Sequence, residues 1–303
     1  MLEDLETGRD IAEATDRLLL RADARYRFPT PVDDLVAAAG LVEPASSLLS
    51  DARLSEAPAH LRGILRQVVG KVQGLVDRKT KEVHLRPGIE HDHHRRFVKL
   101  HEVTHEILPW QAELAYADTV ATLSPATKLA FEREANQGGS ELLFQRDVFS
   151  TIAAEYEIGL GAIVDLHDKF GASLRATIRR FAETHHNAVA AVVLEIQPVS
   201  TDPLAFRRHE AVGSPSWREK IGGPWSWPSD VTAAAHGFVP VAAAAAGLGR
   251  ASGECRLRSR AGSQVAIKVE VLNNTYHLLV LLWEPVKRVR VVHRRRVLSD
   301  VGG

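Results

Sequence analysis

Apolar residues recur along this chain at two different periods, and the switches between them mark its elements. Residues 7 to 27 set Ile11, Leu18, Leu19 and Leu20 among charged positions, the stripe of an amphipathic helix. Pro29-Thr30-Pro31 interrupts that stripe, and Asp33 to Ala39 predicts a second helix closed by Gly40. Between 63 and 86 the period shortens. Gly74-Leu75-Val76 and Glu82-Val83-His84-Leu85 flank the charged turn Asp77 to Lys81, which predicts a β-hairpin with His84 at its surface. The helical period returns at Arg95: Phe97, Leu100, Val103 and Ile107 lie three and four residues apart, until Pro109 ends the run. Ala and Leu favour one more helix from Glu132 to Leu143, weakened in the middle by Gly138-Gly139.

From 146 to 186 the pattern stays helical, and Ser173 is placed to cap a helix from Leu174 to Glu183. Phe170-Gly171-Ala172-Ser173 leading into Arg175, Arg179 and Arg180 resembles a helix-turn-helix unit, although such helices often serve packing instead. Beyond it Ala188 to Ile196 predicts a buried strand and Pro198 to Pro203 a turn. Trp217, Trp225 and Trp227 stand in a Gly-, Ser- and Pro-rich stretch, where they either form a recognition surface or cover a sheet. Ala233 to Ala246 is helix-prone but broken by Gly237 and Pro240. Val265 to Val271, Asn273-Asn274 and Tyr276 to Trp283 predict a second hairpin. Lys287 to Arg296 is a basic strip, expected as a solvated edge or tail. The expected fold is therefore α+β. A mainly helical domain with a short hairpin spans residues 1–145, a helical, helix-turn-helix-like segment 146–187, and a small α/β domain 188–303, separable near residue 187.

Composition narrows the function classes. The 38 basic residues balance 38 acidic ones, so no global field draws the chain to nucleic acid or membrane. Hydrophobic residues make up 45% of the 303, enough for real cores, yet no apolar stretch approaches the roughly 18 residues of a membrane span. One cysteine, Cys255, excludes an internal disulfide, suits a reducing cytosol and reads as a packed side chain. Glu3, Asp4 and Glu6 lack the pattern of a signal peptide, so a cytoplasmic location is expected.

His101-Glu102-Val103-Thr104-His105 carries the chemistry. On a helix the two histidines, at i and i+4, share a face and grip one divalent metal, with Glu102 beside them as a base for water. Two histidines hold an ion too weakly, so a third ligand is required. Glu132 and Asn136 share a face of the later helix, which places Glu132 on the metal and Asn136 behind it, hydrogen-bonding to a ligand. Glu134 faces elsewhere and is expected in solvent beside a basic residue. Tyr116, in the linking segment, offers a phenol to an oxyanion or simply packs. His91-Asp92-His93-His94 competes for the metal on composition, but the simpler assignment has Asp92 capping the helix and the histidines in water.

HExxH followed by Glu132-Arg133-Glu134-Ala135-Asn136 and a small-residue run to Glu141-Leu142-Leu143 resembles the ImmA/IrrE metallopeptidases. The lead-in from Arg96 to His105 is similar to that family's R-F-T-L-A-H-E-x-G-H. The 31-residue step from His101 to Glu132 matches its radiation-response branch, whose third ligand opens an E-x-x-x-N unit; this selects Glu132 over Glu134. The resemblance spans about residues 74 to 145. Three departures stand within or beside it: Thr104 for a glycine, Gly138-Gly139 for Phe-Ala, and no Met-Pro after Leu143. The resemblance implies a zincin-like peptidase domain holding zinc, with manganese as an alternative. It implies that Glu102 serves hydrolysis of a peptide bond in a protein substrate, a helix-turn-helix repressor, and that the last domain is sensor-like. A low-turnover metal-binding regulator or a DNA-binding module on the same fold is the alternative.

Overall fold

The stripe on residues 7 to 27 becomes helix α1 (Gly8–Arg21), which buries Ile11, Ala14, Leu18 and Leu19. The computed structural model describes residues 7–56, 72–111, 124–198, 205–223, 230–232 and 249–285. Helix α2 (Val32–Ala38) ends before Gly40, whose φ of +76° lies in the left-handed region where glycine is unstrained. A short α3 (Asp51–Glu56) precedes the hairpin. Strands β1 (Gly74–Asp77) and β2 (Glu82–Leu85) pair antiparallel, Gly74 opposite Leu85 and Asp77 opposite Glu82. The Asp77 carboxylate accepts from the Lys79 N–H at 2.9 Å and fixes the turn.

Helix α4 (Asp92–Ile107) runs beneath this hairpin and against α5 (Pro125–Leu143). Lys99, buried on α4, meets Asp33 of α2 at 2.7 Å and Glu43 at 2.6 Å. Three helices follow: α6 (Asp147–Ala153), α7 (Leu160–Phe170) and α8 (Leu174–Thr184). Ser173 caps α8 by accepting from the Ala176 N–H at 3.2 Å.

The remaining strands are β3 (Val189–Pro198), β4 (Ala205–Gly213), β5 (Asp230–Thr232), β6 (Arg250–Arg258), β7 (Gln264–Asn273) and β8 (His277–Trp283), with α9 (Pro215–Lys220) between β4 and β5. They form one antiparallel sheet in the order β5-β4-β3-β8-β7-β6. The chain is thus α+β, as its patterning predicts. Among the described residues its last part is mostly strand, and β4 and β6 arise from segments whose charged residues mask the two-residue period. Trp217, on α9, is fully buried against the sheet, while Trp225 and Trp227, the helix-prone stretch from 233 and the basic strip from 287 lie outside the described residues.

β3 and β8 explain their own unbroken apolar runs, since both of their faces are covered. Val189, Ala191, Val193, Leu279, Leu281 and Trp283 join the cluster that also holds Leu100 of α4, Phe149 of α6 and Phe181 of α8. Ala190, Val192, Leu194, Leu278, Val280 and Leu282 pack on the opposite side with Trp217. The apolar core therefore does not stop near residue 187; it passes from the helices into the sheet. The three arginines of α8 are held inside this arrangement. Arg180 forms a buried two-pronged pair with Glu141 of α5, at 2.7 and 2.9 Å. Arg175 and Arg179 bond Glu210 of β4, at 3.0 and 2.7 Å.

A chain cut after Asn187 loses β3 and β8, and with them one wall of the shared core. Each uncovered side chain of the size of Phe181 forfeits about 1.5–3 kcal/mol, and several are uncovered together. Residues 1–187 expressed alone should be insoluble or lack a cooperative melt by circular dichroism. A soluble fragment with a sharp melting transition would show that the helices fold without the sheet.

Candidate metal centre

α4 contains neither glycine nor proline, and Leu108 leaves it with extended backbone (φ −88°, ψ 107°) ahead of Pro109. Its first residue is Asp92, and the preceding His91 makes no side-chain cap. Asp92 thus favours the helix through its charge in the first turn rather than by capping. The neighbouring histidines disperse. His91 Nε2 lies 3.3 Å from the Tyr276 hydroxyl, and His93 packs its ring 4.6 Å from that of His167. Among the described residues, the group whose donor atoms converge as a metal requires is His101, His105 and Glu132.

The two imidazole Nε2 atoms stand 3.2 Å apart, and Glu132 brings its oxygens to 3.3 Å from His101 Nε2 and 3.8 Å from His105 Nε2. A tetrahedral ion with bonds of about 2.0–2.1 Å separates its ligands by about 3.3–3.4 Å. Two nitrogens and a carboxylate at those spacings fit zinc, and the set also suits manganese. Glu132 reaches the histidines from α5, whose start is capped by Ser124 accepting from the Thr127 N–H at 3.1 Å. One turn further along α5, Asn136 Oδ1 lies 3.2 Å from His101 Nδ1. On the other histidine, Gln111 Oε1 lies 2.6 Å from Nδ1. With amide oxygens facing both Nδ1 atoms, both Nε2 lone pairs point into the centre.

Burial and charge act differently on each group. Burial disfavours a charge on His101, but Glu132 and Glu102 outweigh it and raise its pKa. Burial and the nearby His101 both lower that of His105. Without an ion, a protonated His101 donates from Nε2 to Glu132 and holds it below the usual carboxylate range against the effect of burial; a bound metal would take the place of that proton. Glu102 is pushed up to about 7, chiefly by burial, although His101, Arg78 and the Val76 N–H of β1 favour its charged form. β1 covers this carboxylate so closely that a Cβ on Gly74 would stand 2.7 Å from Glu102 Oε1. Arg78, at the start of the hairpin turn, donates to the His105 carbonyl at 2.9 Å.

α4 and α5 touch where Thr104 and His101 of one helix face Gly138 and Gly139 of the other. A Cβ on Gly138 would fall 2.3 Å from Thr104 Cγ2, and one on Gly139 3.1 Å from the His101 nitrogen. Thr104, itself fully buried, fills the space that the missing side chain on α5 leaves. Thr104 and Gly138 are thus complementary in volume across the crossing.

Several residues lie elsewhere than the sequence suggests. Glu134 is buried rather than solvated, because α1 and the segment after α4 close over it. It accepts from the Thr7 hydroxyl at 2.6 Å and the Trp110 indole at 2.9 Å. His84 is also buried, its Nδ1 accepting from the Leu48 N–H at 3.3 Å, because residues before the hairpin cover that strand face. Cys255 is buried, which pushes its thiol up to about 11 and suits a packing role. Tyr116 lies outside the described residues. Gln111, Arg78 and Gly74 carry no motif and follow only from the way the hairpin and the turn after Pro109 return to α4.

No protein-family model and no curated protein matches the chain. Among solved structures it is similar to a Mycobacterium tuberculosis transcriptional regulator, at 11% identity and a TM-score of 0.49, over 91% of this chain and 76% of that one. A likeness of that degree carries no argument about activity.

Two outcomes follow from the geometry. Gly138→Ala should impair both folding stability and metal uptake, because β-branched Thr104 has no room to yield, and Thr104→Gly in the same chain should restore both. Calorimetry and elemental analysis of the single and double variants check this. Separately, Glu102 has a folded pKa above its unfolded one. Its contribution favours folding fully below about pH 4.5 and is lost as pH rises through 7. His185, whose pKa burial lowers to about 4, works in the opposite direction over the same range, so the comparison is between proteins: metal-free Glu102→Gln should gain stability over metal-free wild type at pH 8 relative to pH 5. The shift corresponds to about 3 kcal/mol. Equal pH dependence in both proteins would exclude it.

Proposed function

We propose that this chain is a metal-dependent endopeptidase that hydrolyses a peptide bond in a protein, with zinc as the favoured ion and manganese as the alternative. The observation that carries the reading is the convergence of His101, His105 and Glu132 at the spacing of a tetrahedral ligand set, with Glu102 buried beside them. An ion held there supplies a Lewis acid for a carbonyl and makes water a better nucleophile near neutral pH. Glu102 accepts the proton of the attacking water and returns it to the departing amine nitrogen. Without the ion, burial raises this carboxyl to about 7; a bound cation would lower it again and so favour the carboxylate that takes the first proton. The Val76 N–H aims that carboxylate, and Gly74 lets β1 lie against it without a clash. Among the described residues β1 pairs only with β2, and its other edge suits an extended peptide.

The substrate part of the reading comes from the ImmA/IrrE resemblance: a helix-turn-helix repressor cut at a defined bond. The same resemblance makes the part from residue 188 a sensor-like unit. No helix among the described residues is long and apolar enough to cross a membrane, which accords with action on a cytoplasmic protein. DNA binding by α8 has little support, since its three arginines are engaged by carboxylates.

Purified protein should hold about one equivalent of zinc, and His101→Ala, His105→Ala and Glu132→Ala should each lose it. Glu102→Gln should retain the ion and lose at least about 100-fold in cleavage rate. Elemental analysis gives the first result, and mass spectrometry of helix-turn-helix repressors from the host, incubated with each protein, gives the second. Zinc retained in all three ligand variants would overturn the site. Cleavage undiminished in Glu102→Gln would overturn the role of the base.

A further inference from the structure

We infer that Gln111 is a positioning residue for the metal centre: it sets which nitrogen of His105 faces the ion, and Glu134 sets Gln111. The inference rests on the metal reading above and extends it to residues outside the ligand set.

An amide side chain accepts at its oxygen and donates at its nitrogen, so its neighbours decide its orientation. Gln111 Nε2 lies 2.6 Å from Glu134 Oε2 and 3.4 Å from the Phe131 carbonyl. Both partners are acceptors. A flipped amide would press its oxygen against a carboxylate and a carbonyl, and Gln111 is buried too deeply for water to compensate. Its oxygen must therefore face His105 Nδ1, at 2.6 Å. That contact requires the proton on Nδ1, leaving the Nε2 lone pair for a metal.

Glu134 is itself held by donors from distant parts of the chain. The Thr7 hydroxyl binds Oε1 at 2.6 Å, while the Trp110 indole binds Oε2 at 2.9 Å. Ile11, Ala14 and Leu108 pack beside this cluster, with Trp110 against them. In such dry surroundings each hydrogen bond is stronger and less easily exchanged. The order of contacts is Thr7 and Trp110 to Glu134, Glu134 to Gln111, and Gln111 to His105. The start of α1 thereby bears on the centre without touching it, through Gln111 of the segment after α4.

A purely architectural cluster is the competing account, and it makes different predictions. Gln111→Met keeps side-chain length but removes the acceptor, so zinc affinity should fall about 10–100-fold. In the metal-free variant, nitrogen NMR should show His105 as a mixture of tautomers, whereas the wild type shows the Nδ1–H form. Gln111→Glu alone places two carboxylates together and should also lose zinc affinity. Combined with Glu134→Gln in a Trp110→Phe background, which removes the indole donor that shares the same Glu134 oxygen, it should recover part of the affinity, because a carboxylate then accepts from His105 while the new amide donates to that carboxylate. Affinities come from competition with a chromophoric chelator, alongside the melting temperature of each metal-free protein. The assignment is overturned if wild type binds zinc and Gln111→Met binds it equally well. It is equally overturned if affinity only follows melting temperature across the set, or if the combined exchange gives no recovery. A wild type that binds no zinc overturns the metal reading as well.

Discussion

At the crossing of α4 and α5, two helix backbones approach so closely that Gly138 has no room for a side chain and Gly139 only a tight fit for one. The rest of the centre depends on that approach. It brings Glu132 of one helix within reach of His101 and His105 of the other, and it sets Asn136 behind His101. Glycine costs roughly 1 kcal/mol in a helix interior relative to alanine, and here two stand side by side. The compensation is tertiary: Thr104 packs where a larger residue on α5 would otherwise sit, and the ligand spacing follows from the closeness.

Around the crossing, buried charge is handled in two ways. Glu134 and Glu141 are surrounded by donors: Thr7, Trp110 and Gln111 for the first, Arg180 and Gln137 for the second. These carboxylates fasten α5 to α1 and α8, and removing one partner of such a set leaves an unpaired buried charge. Among the described residues Glu102 has no comparable set of donors. Burial is the largest influence on it, and it is left near the pH at which a proton is readily gained and lost. One buried carboxylate near the ligands is thus locked and another is free to exchange.

The sheet enters this picture as a support. Its helix-facing residues on β3 and β8 complete the core that holds α4, α6 and α8, and Glu270 of β7 accepts from the Leu160 N–H at 2.6 Å at the start of α7. His91, at the start of α4, meets Tyr276 beside β8. A domain said to begin near residue 188 is therefore distinct in sequence pattern while its interior is continuous with the helices. Any influence of that part on the centre has a packed route through which to act.

The residues themselves determined much of this. Spacing alone puts His101 and His105 on one face, aligns Glu132 with Asn136, ends α4 ahead of Pro109 and folds Gly74 to Leu85 into a hairpin, because contacts within three or four residues, or across a short turn, depend only on neighbours. The apolar runs of β3 and β8 are legible for the same reason. Which of two carboxylates, Glu132 or Glu134, faces the histidines depends on how α5 is rotated against α4. Whether Glu134 is dry depends on α1 and Trp110 arriving from elsewhere. The same holds for buried His84, for Arg180 turned inward to Glu141, for the polar-looking strands β4 and β6, and for Gln111 behind His105. Each of these is fixed by which faces meet, and a local period carries no record of the partner it will meet.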